Sequence, residues 1–336
     1  MSTTTTSRLG RLRTLAVLSA SALAFGGLAA CSRDGSSADD AGSGGSGSGG
    51  EKAMTIQFVN PLPSYPTWKQ IGECMKEEAE ARGADYPESG PTGQALDASA
   101  MIQQVQQAIA NKKNAVVTMP VSDGFAPILK QAQDADVVTG TIYGPGGEES
   151  GADYNIGPDW TYIGETLVNA VAALPGDHVL GLVAAADSGL GKSWLDGVKA
   201  AVAKTDNVTI AGEVYTGDDA TKALPQVTAL LTAHPDVTEI VTHMGTTTPG
   251  ATAAIKAKGR QGKTFLVAGG HDNGGTEAME EGTANLMLLQ DVCTLGKQMV
   301  DGVVDVHEGK TPEEVPVQIA VVGKDEVQSY LDKGWV

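Results

Sequence analysis

The chain has 336 residues, a formal net charge of −18 and only 4% aromatic residues. This acidic balance argues against binding to nucleic acid or to anionic lipid surfaces, because like charges repel. The length is sufficient for two domains of ordinary size. After residue 30, no apolar run approaches the roughly 20 residues needed to cross a bilayer.

Residues 1–30 have the organisation of an export signal. Three arginines, Arg8, Arg11 and Arg13, precede an apolar stretch from Leu15 to Ala24 that is too short to span a membrane. The segment ends in Leu28-Ala29-Ala30-Cys31, which resembles the bacterial lipobox. We therefore expect a lipoprotein signal peptide over 1–30 and a lipid on the Cys31 thiol. The alternative is an ordinary secreted protein in which Cys31 merely follows the cleavage site.

The predicted mature chain begins with a Gly/Ser-rich tether over residues 31–52. This segment has too little apolar content to fold, so it is expected to act as a flexible spacer. Two or three acyl chains anchor a protein stably, whereas one does not. The sequence thus predicts an extracytoplasmic protein held on the outer face of the cell membrane by the lipid on Cys31.

The rest of the chain alternates short β-rich runs with helical patterns, in two successive series. This punctuation predicts parallel strands joined by right-handed helical crossovers, with helices on both faces of each sheet. In the first series the predicted strands are 54–59, 115–119 and 137–143, and the predicted helices 67–82, 98–110 and 127–134. In the second the strands are 179–184, 208–215, 239–244 and 265–268, and the helices 160–173, 193–204, 220–233 and 249–258.

The C-terminal tail does not begin a third unit. It contains a predicted strand over 286–289, a helix over 294–304 and a strand over 315–322, which is too little for a domain. We expect it to return to the first unit and then cross again to the second. The predicted organisation is an N-terminal lobe of residues 53–157 plus 290–315 and a C-terminal lobe of residues 158–289 plus 316–336.

Several motifs give the chain a family likeness. Asn60-Pro61 followed by Trp68, the run Glu88 to Thr92, the strand-turn segment Ala115 to Ser122, Gly217 to Leu224, and Leu289-Gln290-Asp291-Val292 occur in the expected order. In this order they resemble the type I periplasmic solute-binding proteins of bacterial ABC importers, and the rhamnose and autoinducer-2 branch in particular. The resemblance implies an α/β fold of two doubly wound lobes joined by a three-strand hinge, with ligand held between the lobes and then delivered to a permease.

Aromatic residues are the first candidates for ligand contact. Trp68, Trp160 and Trp194 each follow a strand or begin a helix, where a doubly wound lobe presents its crevice, and an indole packs well on the C–H face of a sugar. The alternative for each is plain core packing. Trp335 has no such position. Trp194 stands three residues before Gly197, where pentose-binding relatives have arginine, so a plain ribose site is not expected.

Polar residues at other strand ends complete the predicted site. Asp291 and Asp272 are expected to accept hydrogen bonds from ligand hydroxyls, although Asp291 is equally placed to cap a helix and Asp272 to be a simple loop acid. Thr246 lies where much of the family has an Asn-Asp pair. Tyr143 lies near the position of an aspartate that the autoinducer branch has and this chain lacks, which argues against autoinducer-2 itself.

Two cysteines remain beyond Cys31. In a lobe wound this way, the helix after the first strand and the helix of the returning tail cover the same face of the sheet. Cys74 and Cys293 lie in these helices and are predicted to form a disulfide in the oxidising compartment. The alternative is two small buried residues.

Other classes of function have weak support. Residues 186–193 end like a phosphate-binding loop but begin with Ala186 in place of the required glycine. The five histidines lack zinc-site spacing, and no Gly-x-Ser-x-Gly nucleophile motif occurs. We expect no enzyme activity, no cofactor and no metal. The predicted function is a monomeric, lipid-anchored protein that captures a monosaccharide or polyol for an ABC permease; a sensor lipoprotein, or less readily an enzyme, is the alternative.

Overall fold

The computed structural model describes residues 53–93, 96–143, 151–217, 219–313 and 315–336. The predicted signal peptide, Cys31 and the tether lie outside the described residues. Among those described, no helix combines the length and the apolar character needed to cross a membrane.

The N-terminal series forms a parallel sheet with the strand order β2-β1-β3-β4-β5. Its strands are β1 (Ile56–Val59), β2 (Glu88–Ser89), β3 (Ala115–Thr118), β4 (Val138–Ile142) and β5 (Tyr154–Ile156), and the intervening helices are α1 (Pro66–Ala81), α2 (Ala98–Ala110) and α3 (Phe125–Gln133).

Both faces of this sheet are covered, as parallel sheets require. On β1, Ile56 and Phe58 point into the core that contains α1, whereas Val59 points into the core formed with α2 and α3. This alternation follows from the two-residue period of a strand. All four residues of β3 are buried, which explains its uninterrupted apolar sequence.

The second series forms a sheet with the order β11-β10-β9-β8-β6-β7. All neighbours are parallel except β10 and β11. The strands are β6 (His178–Ala184), β7 (Val208–Tyr215), β8 (Glu239–Thr242), β9 (Phe265–Ala268), β10 (Ala284–Gln290) and β11 (Ile319–Val322). The helices are α4 (Trp160–Ala172), α5 (Gly189–Val202), α6 (Ala220–Ala233), α7 (Thr248–Ala257), α8 (Gly275–Glu280), α9 (Val292–His307) and α10 (Lys324–Leu331).

Helices α4 and α5 cross at unusually short distance on one face of this sheet. A Cβ placed on Gly197 of α5 would lie 2.0 Å from the carbonyl oxygen of Thr161, and one on Gly164 of α4 would lie 2.3 Å from the carbonyl oxygen of Trp194. Only glycine permits this approach. The close crossing fixes the position of Trp194, which is completely buried.

The tail passes from the second sheet to the first and back. Strand β10 belongs to the second sheet, α9 then packs on α1, β4 and β5 of the first, and β11 returns to pair with β10. Cys74 of α1 and Cys293 of α9 form a disulfide, with 5.2 Å between their Cα atoms. The predicted disulfide is therefore present in the structure, and the α/β fold with two doubly wound sheets is confirmed.

Some predicted elements differ from the observed ones. The strand predicted over 315–322 is only Ile319–Val322, because Pro316 cannot donate a hydrogen bond to a sheet ladder. Helix α5 begins at Gly189 and not at residue 193. The sequence did not predict β2, β5, α8 or α10, which are short or of mixed polarity. The lobe boundaries given above stay predictions.

Candidate functional site

The carboxyl ends of the parallel strands carry polar and aromatic side chains, and two of these, Tyr143 and Asp272, are residues that the sequence singles out. In the first sheet Tyr143 follows β4. In the second sheet His243 follows β8, Asp272 lies in the loop after β9, and Gln290 ends β10. Such ends form the crevice that holds ligands in open α/β sheets. In this protein, side chains from the ends of both sheets are in direct contact.

A continuous row of rings, which we call the aromatic row, joins four of the predicted residues. Its ring centroids are separated by 5.6 Å between Trp68 and Tyr143, 6.3 Å between Tyr143 and Trp160, 4.6 Å between Trp160 and His243, and 5.3 Å between His243 and Trp194. Trp68 and Tyr143 pack with the first sheet, and the other three lie on the second. All five rings are buried.

Tyr143 has the most constrained position in the row. Its backbone φ is 54°, a left-handed conformation that is unfavourable for a bulky residue. Its hydroxyl donates to Oε1 of Gln290 across 3.0 Å, linking the end of β4 to the end of β10. Burial and the negative charge of Asp272 raise the pKa of Tyr143, so the hydroxyl keeps its proton at any physiological pH.

Asp272 is the one carboxylate among the residues so far placed in the crevice. Its side chain links the second sheet, which it follows, to helix α1 of the first series. It is 9% exposed and accepts a 2.5 Å hydrogen bond from the hydroxyl of Thr67, beside Trp68 in the first turn of α1. The half-buried Tyr65 accepts a hydrogen bond of 3.1 Å from the amide of Asn273. Burial first, then the charge and hydrogen bonding of Asp272, raises the pKa of Tyr65.

Several buried polar atoms on the second sheet have no hydrogen-bond partner among the described residues. They are both ring nitrogens of His243, Nε1 of Trp194, and the hydroxyls of Thr246 and Thr248. Burial lowers the pKa of His243 to about 4, so its imidazole is neutral at pH 7. The predicted site residues Thr246 and Trp194 thus each carry a buried polar atom that is unsatisfied within the described residues, as does His243, which the sequence did not identify.

Asp291 caps the amino end of helix α9, which is the alternative that the sequence left open for this residue. It precedes α9 and accepts from the Thr294 backbone N–H at 3.0 Å and from the Thr294 hydroxyl at 2.7 Å. It directly follows Gln290, the hydrogen-bond partner of Tyr143. Its contact with a ligand stays a prediction.

The described part of the chain contains no candidate metal site. There, no group of three or more His, Cys, Asp or Glu side chains is arranged to hold a metal ion. The crevice residues named above carry one acid, a neutral imidazole, indoles, phenols, hydroxyls and amides. These groups can hydrogen-bond and pack against a small, uncharged polar molecule.

A family comparison agrees with this geometry. The model of a family described as periplasmic binding protein domain matches residues 56–311, well over half of the chain. The chain belongs to that family. The residues matched include both sheets except β11, together with the crevice of this periplasmic binding protein.

Solved structures share the fold of this periplasmic binding protein over most of its length. GanP, a glucose-galactose binding protein from Geobacillus stearothermophilus, has a TM-score of 0.75 and 18% identity, covering 82% of this chain and 99% of GanP. An ABC transporter solute binding protein from Mycobacterium smegmatis with bound glycerol has a TM-score of 0.70 and 24% identity, over 82% and 96% of the two chains. A chain of the XylFII–LytSN complex has a TM-score of 0.70 and 16% identity, over 81% of this chain and 98% of that chain.

These comparisons confirm the recognised fold, the type I periplasmic binding protein fold. Sequence reasoning did not single out His243, Tyr65, Thr67, Gln290 or Asn273 as site residues. A signal was available for His243, because it follows directly on a buried strand, where a parallel sheet presents its crevice. Tyr65 and Thr67 carried a weaker sequence signal. They lie at the start of a helix that also packs against the core, so nothing in the sequence marks them as site residues.

Proposed function

We propose that this periplasmic binding protein captures a neutral monosaccharide or polyol in the crevice between its two sheets. The observation that carries the proposal is the aromatic row with the acid Asp272 beside it. Indole faces pack on sugar C–H groups, and a carboxylate accepts strong hydrogen bonds from hydroxyls. The crevice residues described above include no Lys or Arg, the side chains that pair most strongly with anionic ligands. GanP, with its glucose-galactose binding, supports the same class of ligand.

We further propose that capture involves opening and closing of the crevice. Three hydrogen-bonded pairs join the first series to the second: Thr67 and Tyr65 at the start of α1 pair with Asp272 and Asn273 after β9, and Tyr143 after β4 pairs with Gln290 of β10. A ligand must separate these pairs in order to lie between them. Closure then replaces water on each ligand hydroxyl by a protein group, which is the usual consequence of hinge closure around a ligand.

Membrane attachment is part of the proposal. The signal-like segment 1–30, Cys31 and the tether 31–52 support a lipid anchor on the outer face of the membrane. Labelling of producing cells with radioactive palmitate tests this: label is expected in the wild type and absent from a Cys31→Ser variant. An unlabelled wild-type protein would rule out the lipoprotein assignment.

Delivery to an ABC permease by a monomer completes the proposed function, with no chemical change of the ligand. The ABC transporter assignment of the Mycobacterium smegmatis neighbour supports it. A neighbour of the same fold was solved in the XylFII–LytSN complex, and such assembly with a second protein favours a second candidate, a sensor lipoprotein that acts on a membrane partner. Deletion of the gene distinguishes the two: loss of labelled-sugar uptake supports delivery, whereas normal uptake with a lost transcriptional response to sugar supports the sensor.

A ligand panel tests the central proposal. Thermal unfolding is measured with D-glucose, D-galactose, D-arabinose, D-allose, D-tagatose, xylitol and glycerol, and a ligand at 100 times its Kd should add about 2.7 kcal/mol to stability. Mass spectrometry of the recovered ligand checks that it is unchanged. Trp68→Leu should weaken binding at least tenfold, while Trp335→Leu, which removes an indole that packs on Tyr330, is the matched control. If none of these compounds stabilises the protein, the proposal is contradicted.

A further inference from the structure

The second sheet holds two buried histidines with opposite surroundings. His178 begins β6, and its ring nitrogens lie 2.9 Å from Oε1 of Glu239 and 3.3 Å from the carbonyl oxygen of Leu174. His243 directly follows the neighbouring strand β8, so it lies at the carboxyl ends of the strands whereas His178 lies at their amino ends. His243 is only 4% exposed. Neither of its ring nitrogens has a hydrogen-bond partner among the described residues. His178 is thus satisfied by the fold, whereas His243 is not.

The orientation of His243 comes from packing. Trp160 contacts the imidazole in a T-shaped arrangement with 4.6 Å between centroids, and Trp194 covers it at 5.3 Å with a tilt of 35°. Two indoles therefore fix the plane of the ring in place of hydrogen bonds. A ring held in this way presents its nitrogens in defined directions, as a preorganised binding site does.

The protonation state of His243 determines what it can recognise. Burial keeps the ring neutral at pH 7, and a neutral imidazole offers one N–H donor and one nitrogen acceptor. A sugar hydroxyl likewise donates once and accepts. Buried polar groups without partners are rare in native proteins and call for a specific explanation. Nε1 of Trp194, whose ring centroid lies 5.3 Å from that of His243, is also buried without a partner among the described residues, as are the hydroxyls of Thr246 and Thr248 further along the chain from His243.

We propose that His243 is a specificity-determining residue that recognises a particular hydroxyl group of the ligand through its imidazole nitrogens, whose directions are set by packing against Trp160 and Trp194. This rests on the proposed function, since it needs a polyhydroxylated ligand in the crevice. An analogue that lacks that hydroxyl leaves the buried imidazole unpaired, and sites built to bond a hydroxyl reject such analogues strongly. We expect at least a 100-fold loss of affinity for one monodeoxy analogue, and smaller losses for the others.

The test uses calorimetric titration of the purified protein with the panel sugar that binds and with each of its monodeoxy analogues. His243→Phe keeps an aromatic ring but has no polar atom. It should bind the parent sugar at least 100-fold more weakly than the wild type and should no longer distinguish the parent from the critical analogue. His178→Gln is the control, and its affinities should follow the wild-type pattern.

The outcomes separate the two proposals. If no sugar binds the wild type, the proposed function fails and this inference fails with it. If a sugar binds and His243→Phe keeps the wild-type pattern of deoxy penalties, only the role of His243 is overturned. If His243→Phe does not fold, ¹⁵N NMR of the imidazole nitrogens in the wild type decides the matter. Saturating sugar should shift the resonances of the His243 ring, and unchanged resonances would overturn the role.

Discussion

Removal of the Cys74–Cys293 disulfide should lower the stability of the folded body substantially. The bond joins α1 to α9 across a sequence separation of 219 residues. The chain-entropy model assigns a loop of this length about 5 kcal/mol. With an unfolding entropy of about 2.1 cal/mol/K per residue, a body of roughly 280 residues should lose about 9 °C in Tm at most.

The assay is thermal unfolding of the wild type and of a Cys74→Ala/Cys293→Ala double variant, each with and without reductant. Reductant should lower the Tm of the wild type towards that of the variant, and it should leave the variant unchanged. If a thiol reagent reacts with both Cys74 and Cys293 in denatured, unreduced protein, the disulfide is absent. A double variant with wild-type Tm would refute the reasoning from loop length.

Three further predictions concern single residues. Gly197→Ala should lower the free energy of unfolding by about 1–3 kcal/mol and so lower the Tm, since the added Cβ would lie 2.0 Å from the Thr161 carbonyl oxygen; a raised Tm, as expected in an ordinary helix, would contradict the close crossing. Stability should fall as pH drops from about 6.5 to about 4, because the unfolded chain protonates His243 at its ordinary pKa while the folded chain resists protonation until about 4. This contribution is at most about 3 kcal/mol, and denaturant titrations at pH 7 and 4.5 should show it in the wild type and not in His243→Phe. The Asp291→Ala variant should lose about 1 kcal/mol of folding stability because the helix cap is lost, whereas Asp291→Ser should retain the cap. Both variants should bind sugar at least tenfold more weakly. Wild-type affinity in the serine variant would limit the role of Asp291 to capping.

The order of strands and helices was largely predictable because their periodicity is local. Each long helix has its own apolar face, and each buried parallel strand has its own apolar run. Strands β2 and β5 were missed for the same reason, since two and three residues of mixed polarity show no period. Their existence depends on pairing with β1 and β4, which are distant in sequence.

The candidate site was predictable where a rare residue type coincided with a strand end. Trp68, Trp160 and Trp194 stood out because the chain has four tryptophans in all. His243 did not, because its significance depends on what is missing around it: its nitrogens have no partner among the described residues, whereas those of His178 do. Whether a buried polar atom is satisfied depends on the three-dimensional surroundings, which no single sequence displays.

The return of the tail has a consequence for how the protein is made. Helix α9 covers β4 and β5 but is encoded after every parallel strand of the second sheet. While the chain is being made, the first sheet therefore lacks one of its covering helices until about residue 307. A gene fragment that stops at residue 157 should yield an aggregating product, because the apolar face of β4 and β5 remains uncovered. Co-expression of that fragment with the remaining segment should restore a soluble pair.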